Sequence, residues 1–286
     1  MSKCPLCKSS SSVWRTLRDH LIEECGECRH RFTQSADCDS HIEQIYDDHY
    51  FTGGGAGYID YLSQEELLRI RGQQYARMVA RITRSRGTVL DVGAAAGFLL
   101  SGWLEDKWNG IGVEPNKSMA ARAQNNGMDV RCGTFEDMVF PEIGNIDCIA
   151  MVQVISHFLD PCRALEKSFA LLKPGGTLLV ETWNRSSLIA RYSGERWHEY
   201  SPPSVLHWFT PDALHRAAFS QGFTHMKSAR SLRIINVGHA KSLLDHVDKS
   251  MPYRIARFML RFVPNWMNIP YPGDDLIWAL YRKPSR

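Results

Sequence analysis

No apolar run in this chain of 286 residues approaches the roughly 18 residues that a membrane-spanning helix needs. The opening Met1-Ser2-Lys3-Cys4-Pro5 has no apolar signal-peptide core, which predicts a cytoplasmic protein. Strong charge of one sign is also missing, since the formal net charge is only +3. Such a balance neither demands nor excludes a nucleic-acid partner, because RNA-binding domains concentrate basic residues on one face. There is no internal repeat, and the only biased tract is Ser9–Ser12. What is present suits a globular chain with a sizeable core: 44% hydrophobic and 23% charged residues. The length allows one large domain, or a medium domain with something small attached.

Cysteine is not scarce, but its placement argues against disulfides. Four of the eight cysteines form two close pairs, while Cys38, Cys132, Cys148 and Cys162 are scattered. In a reducing compartment paired cysteines hold metal more often than they bridge. Cys4-Pro5-Leu6-Cys7 and Cys25-Gly26-Glu27-Cys28 are separated by seventeen residues, the spacing of a two-knuckle zinc ribbon. Cys4, Cys7, Cys25 and Cys28 are therefore the expected ligands. His30 and Cys38 stand nearby as alternatives for the fourth place, with Cys28 the better fit. Four thiolates close the coordination shell, so the metal would be structural, and its binding would supply folding energy to a segment too short for its own core. The ribbon could serve as a substrate-side lid, a dimer contact or an RNA-binding module.

Beyond the ribbon, Gly53-Gly54-Gly55-Ala56-Gly57 predicts a turn, and Gln64 to Thr83 has a helical apolar pattern. From Thr88 to about Ala229 short apolar strands alternate with helices. Strands are expected at Thr88–Val92, Gly110–Val113, Val130–Cys132, Ile146–Val152 and Thr177–Glu181, with helices at Ser118–Asn125 and Pro161–Leu172. The alternation predicts βαβ units and a mostly parallel, doubly wound α/β sheet. One more strand is expected near Asp275–Tyr281, after a helical insert.

The run Thr88-Val89-Leu90-Asp91-Val92-Gly93-Ala94-Ala95-Ala96-Gly97-Phe98 reads as a buried strand, a small-residue turn and a helix start. Gly93 and Gly97 would let the backbone approach a ligand at the carboxyl end of the strand. Alone this is a weak signal, shared with dinucleotide-binding proteins. About twenty residues on, Glu114 ends the next strand, where an acid can accept from ribose hydroxyls. Gly133-Thr134-Phe135-Glu136 follows the third strand.

These motifs resemble the class I S-adenosylmethionine methyltransferases. The family's first motif, D-x-G-x-G-x-G, is matched by Asp91, Gly93, Ala95 and Gly97, with alanine in place of the middle glycine. The resemblance implies a Rossmann-like, seven-stranded fold with S-adenosylmethionine as cofactor. It further implies that Glu114 holds the ribose, that Thr134, Phe135 and Glu136 flank the adenine, and that Gln153 lies beside the methionine part. Leu171-Leu172-Lys173-Pro174-Gly175-Gly176 is similar to the family's turn before the fifth strand. Gly194-Glu195-Arg196-Trp197 and His207-Trp208-Phe209-Thr210 resemble a small-molecule branch, similar to ubiquinone-biosynthesis O-methyltransferases and zinc-bearing sugar C-methyltransferases. The expected organisation is a zinc ribbon over 1–40, a helical linker and cofactor lid over 41–86, and a methyltransferase domain over 87–286 with a substrate-side insert at about 236–272.

A general base is needed only when the methyl acceptor must lose a proton. His157 directly follows the fourth strand and is a candidate base; it could equally cap or orient the next helix. His198 lies in the aromatic stretch 183–209, which suits a pocket for a flat ring or a sugar face. Tyr46 and Tyr50 could close over the cofactor, Tyr50 being the better candidate, whereas His207 reads as structural. Ile255, Phe258, Met259, Phe262 and Val263 would share one helical face, with Arg254, Arg257 and Arg261 on another. That helix would cover the acceptor site or touch an anionic membrane or phosphorylated substrate. The expected partner is a small-molecule acceptor. The main alternative is RNA, because Cys4-Pro5-Leu6-Cys7 is similar to the start of ribosomal-RNA guanine methyltransferases. A non-catalytic cofactor-binding module is a third reading.

Overall fold

The computed structural model describes residues 2–33, 51, 61–231, 234–238, 240–241, 258–271 and 273–285. Strands β1 (Ser11–Leu17) and β2 (His20–Cys25) form a hairpin whose two turn residues, Arg18 and Asp19, both have positive φ. That twist is the one a two-residue hairpin favours. Strand β3 (Arg31–Thr33) runs antiparallel to β2.

Helix α1 (Glu65–Thr83) buries Arg71, Gly72, Tyr75, Ala76 and Val79, one stripe of its surface, and stops at left-handed Arg84. The chain then winds through β4 (Thr88–Val92), α2 (Phe98–Glu105), β5 (Asn109–Glu114), α3 (Lys117–Asn125) and β6 (Asp129–Cys132). It continues through β7 (Ile146–Val152), α4 (Pro161–Leu171), β8 (Leu172–Trp183), α5 (Leu188–Ser193), β9 (His207–Trp208) and α6 (Pro211–Ser220). Strands β10 (Thr224–Arg230), β11 (Ile234–Asn236), β12 (Asn268–Pro270) and β13 (Leu276–Arg282) complete the described chain. The helix starts are written locally. Asn116 caps α3 by accepting from Met119 N at 2.8 Å, and Asp160 caps α4 ahead of Pro161.

Seven strands form one sheet in the order β10-β13-β8-β7-β4-β5-β6. Pairing is parallel from β8 through β6, and β13 and β10 join antiparallel. Alternate side chains feed two cores. Leu90, Ile149, Leu178 and Val180 pack on one face, and Val89, Cys148, Ala150 and Leu179 on the other. Strand order reverses at β4, between β5 and β7, so the ligand crevice of such a sheet falls at their carboxyl ends. Helix α1 reaches that crevice by crossing α2 at backbone contact. A Cβ on Gly72 would stand 2.0 Å from Leu99 O, and one on Gly102 would stand 2.1 Å from Arg69 O.

Several expectations are refined. Residues Lys173–Gly176 are an excursion within β8 rather than a turn before it, because pairing with β7 jumps from Ile146↔Leu172 to Cys148↔Thr177. Strand β9 does not join the large sheet. It pairs with β3, so the N-terminal hairpin and the chain that follows β8 share a four-stranded sheet, β1-β2-β3-β9. Before β13 the described residues include a two-stranded ribbon, β11-β12, as well as helical turns. Cys38, Tyr46, Tyr50, Gly53–Gly57, Arg254, Ile255 and Arg257 lie outside the described residues. Phe258, Met259 and Phe262, the described part of the expected amphipathic face, are exposed. Among the described residues no helix is long and apolar enough to cross a membrane.

Candidate active site

The turn after β4 is built to face something. Gly93 has φ +74°, and a Cβ there would lie 2.5 Å from Val154 Cγ1. Gly93 N and Ala94 N both donate to Val113 O, at 2.9 and 3.0 Å, folding the turn back across β5. Ala95, with φ +45°, donates its N–H to Glu114 Oε2 at 2.8 Å. Asn116 N donates to Glu114 Oε1 at the same distance. The carboxyl group is thereby fixed edge-on between the first turn and the start of α3.

Around this turn lies a cleft of about 1130 Å³, counted out to its open mouth. Asp91, Gly93, Ala95, Glu114, Thr134, Phe135, Glu136, Gln153 and His157 all line it. Nine of the expected site residues, from four separate stretches of chain, thus meet in one cleft. Gly97 does not; at φ +79° it serves as the cap of α2. His198 does not either. Its ring packs edge-on against Trp183 at 4.6 Å and Trp197 at 5.8 Å, and Nε2 lies 3.5 Å from Glu199. Trp197, Tyr200 and Trp208 of the aromatic stretch are buried in a cluster shared with Ile22, Trp14 and Leu17 of the N-terminal hairpin.

Burial sets the electrostatics of the wall. Asp91 is pushed up to about 8 by burial and by the charge of Glu114, and its Oδ2 has no hydrogen-bond partner among the described residues. Glu114 is pushed up to about 7 by burial, against the pull of the Asn116 and Ala95 N–H groups. Glu136 is raised to about 7, chiefly by burial. Three acceptor groups that water solvates poorly therefore face one cavity, an arrangement suited to a ligand carrying hydroxyl and ammonium donors.

At the far end, His157 closes the short helical turn Ile155–His157, and its Nδ1 lies 2.6 Å from Ser204 O. A carbonyl only accepts, so Nδ1 carries a proton, and in the neutral form of the ring the lone pair is on Nε2. Gln153, at φ +61°, directs Nε2 to Glu181 Oε1 at 3.2 Å.

Sequence reasoning missed Arg71 and Glu181. Arg71 lines the cleft and forms a buried ion pair with Glu181, which is fully enclosed. Tyr75 and Ser231 also donate hydroxyls to Glu181 Oε2, Ser231 at 2.7 Å. The available signal was an acid ending the apolar run Leu178-Leu179-Val180 at a carboxyl strand end. Phe51 and Tyr61 also line the cleft.

The four N-terminal cysteines converge. Their Sγ atoms all lie within 4.8 Å of one another, with Cys7 Sγ 3.4 Å from Cys25 and 3.5 Å from Cys28, and Cys4 Sγ 3.5 Å from Cys28. Thiolates bonded at about 2.3 Å to one tetrahedral ion would be roughly 3.8 Å apart, so the cluster has the right size. His30 is not part of it. Its Nε2 lies 3.2 Å from His207 Nδ1, both rings being buried.

The sheet order, the glycine turn and the carboxyl-lined crevice define the class I S-adenosylmethionine-dependent methyltransferase fold. Residues 64–228, more than half of the chain, match a family profile described as methyltransferase domain, and the chain belongs to that family. It is 32% identical over 140 residues to a ubiquinone biosynthesis O-methyltransferase of Nitrobacter winogradskyi, covering 45% of this chain and 53% of that one. With a protein of the same description from Caulobacter vibrioides, identity is 29% over 155 residues, covering 50% and 62%. The chain thus spans less than two thirds of the length of these relatives. A methyltransferase of known structure from Thermotoga maritima superposes with TM-score 0.54 at 19% identity, covering 85% of this chain and 99% of that one. One from Archaeoglobus fulgidus gives TM-score 0.52 at 17% identity, covering 78% and 99%. At such identities the two structures speak for the fold alone.

Proposed function

We propose that this chain transfers a methyl group from S-adenosylmethionine to a hydroxyl of a small-molecule acceptor. The observation that carries the reading is Glu114, held by Ala95 N and Asn116 N, lining the same cleft as His157. When bound, the cofactor supplies a methyl group activated on a sulfonium. The chain's residues bind and orient. Glu114 accepts from the ribose hydroxyls, and Asp91 adds a second buried acceptor. Gly93 and Ala95 bring the backbone close, while Gly97 sets the helix that follows. Thr134, Phe135 and Glu136 flank the adenine, and Gln153 borders the methionine part. His157 takes the hydroxyl proton at Nε2 while Nδ1 holds to Ser204. Alignment of acceptor and methyl group in the cleft supplies much of the rate. The relatives named as ubiquinone biosynthesis O-methyltransferases favour an aromatic hydroxyl as acceptor.

Titration calorimetry with S-adenosylhomocysteine tests the cofactor site. Micromolar, one-to-one binding is expected; folded protein that binds none would overturn the reading. Because burial raises Asp91 and Glu114, ligand-free protein loses stability as pH rises from about 4 towards 8, each carboxyl ionising more easily unfolded than folded. Donors on the ligand reverse that preference. Affinity should therefore rise about tenfold from pH 6 to pH 8, with protons released in the buffer-dependent heat. The same slope in Glu114→Gln would remove Glu114 as its source.

We further infer that Cys4, Cys7, Cys25 and Cys28 hold one structural zinc ion. Elemental analysis should find about one equivalent, lost in the Cys4→Ser/Cys7→Ser variant; metal-free protein with an ordered hairpin would refute this.

A further inference from the structure

We infer that the N-terminal ribbon is a positioning element for His157, acting through the segment 201–208. This rests on the readings of His157 and of the cysteine site given above. Strand β9 pairs with β3 through Arg31↔Trp208 and Phe32↔His207. Just before β9 the segment is held from both sides. Thr33 N donates to Leu206 O at 2.9 Å, from the ribbon. Leu206 N donates to Ser156 O at 2.9 Å, towards the turn that carries His157. Two residues earlier, Ser204 O receives the His157 Nδ1 proton at 2.6 Å. Ser204 itself is braced, its Oγ donating to Ser201 O at 3.0 Å and Val205 N donating to the same oxygen at 3.2 Å.

Packing follows the same route. Leu6 and Phe32 of the ribbon share a core cluster with Ile155 and Phe158, the residues flanking Ser156-His157. Cys162, near the start of α4, points its Sγ at Pro5 O, 3.5 Å away, inside the first knuckle. A buried segment must have its backbone groups paired. Here Leu206 has its carbonyl satisfied by the ribbon and its N–H satisfied on the active-site side. Loss of the ribbon would expose Leu206 O and loosen the segment whose Ser204 carbonyl takes the His157 Nδ1 proton, so that the ring samples both tautomers. Among the described residues, Glu114 takes its hydrogen bonds from Ala95 N and Asn116 N and none from the ribbon, so cofactor affinity should change little.

The test needs no acceptor. Full-length protein carrying ¹⁵N-labelled histidine is compared with its Cys28→Ser variant and with wild-type protein treated with a zinc chelator. Long-range ¹H–¹⁵N correlations report which ring nitrogen of His157 is protonated, the signal being assigned by its absence in His157→Gln. Metal-loaded wild type should show the Nδ1–H form. Both perturbed samples should show tautomer averaging at His157, with S-adenosylhomocysteine affinity within twofold of wild type. An unchanged Nδ1–H signal after metal loss would overturn the proposal. So would a parallel collapse of S-adenosylhomocysteine binding, which would mean general unfolding. Failure of the base reading is separate: His157→Ala with full turnover would sink that role while leaving the tautomer result standing.

Discussion

His157→Ala is expected to lower methyl transfer to a hydroxyl acceptor by about two to four orders of magnitude, the usual contribution of a placed general base. S-adenosylhomocysteine affinity should change less than twofold, because Glu114 takes its hydrogen bonds from Ala95 N and Asn116 N. A phenolic acceptor with labelled methyl donor in single-turnover mode reads the chemical step directly. The loss should shrink as the acceptor hydroxyl becomes more acidic, since an acceptor already ionised needs no base. Equal losses across acceptors of different acidity would mean that His157 holds geometry and moves no proton. Unchanged turnover would remove it from the mechanism altogether.

Local sequence carried much of the fold. The apolar run Val89-Leu90 before Asp91 and the cap residues Asn116 and Asp160 each determine structure within a few positions, and β4 and β7 fall at the expected bounds. What stayed hidden depends on chain distant in sequence. Strand β9 is only His207–Trp208, too short to show alternation, and it exists because β3 offers an edge 174 residues away, from Thr33 to His207 at closest. The site divides in the same way. Glu114 and Gly93 were legible because their roles are tied to a strand end and a turn. His198 sits among aromatic neighbours that pack on one another and on the N-terminal hairpin, away from the cleft lining. Arg71 looked like one more charge on an amphipathic helix. Only the Gly72–Gly102 crossing, invisible in periodicity, presses that helix close enough to bury it.

Glu181→Ala is expected to cost about 3–5 kcal/mol, because it leaves the Arg71 guanidinium buried without its counter-charge. Tyr75, Ser231 and Gln153 lose an acceptor at the same time. Urea denaturation reads the loss as a lowered midpoint; a shift worth under about 1 kcal/mol would mean that water reaches the pair and screens it. The double variant Arg71→Met/Glu181→Leu separates architecture from site. Apolar replacements of similar volume commonly match a buried ion pair in stability, since neither charge need then be desolvated. This double variant should therefore regain most of the loss. If the pair served the fold alone, S-adenosylhomocysteine affinity would return with stability. Arg71 also lines the cleft, so affinity should instead stay about tenfold down in a protein that is otherwise stable. A stable double variant with wild-type affinity would reduce the cluster to packing; stability without affinity makes Glu181 the anchor that keeps a cationic side chain ready at the cleft.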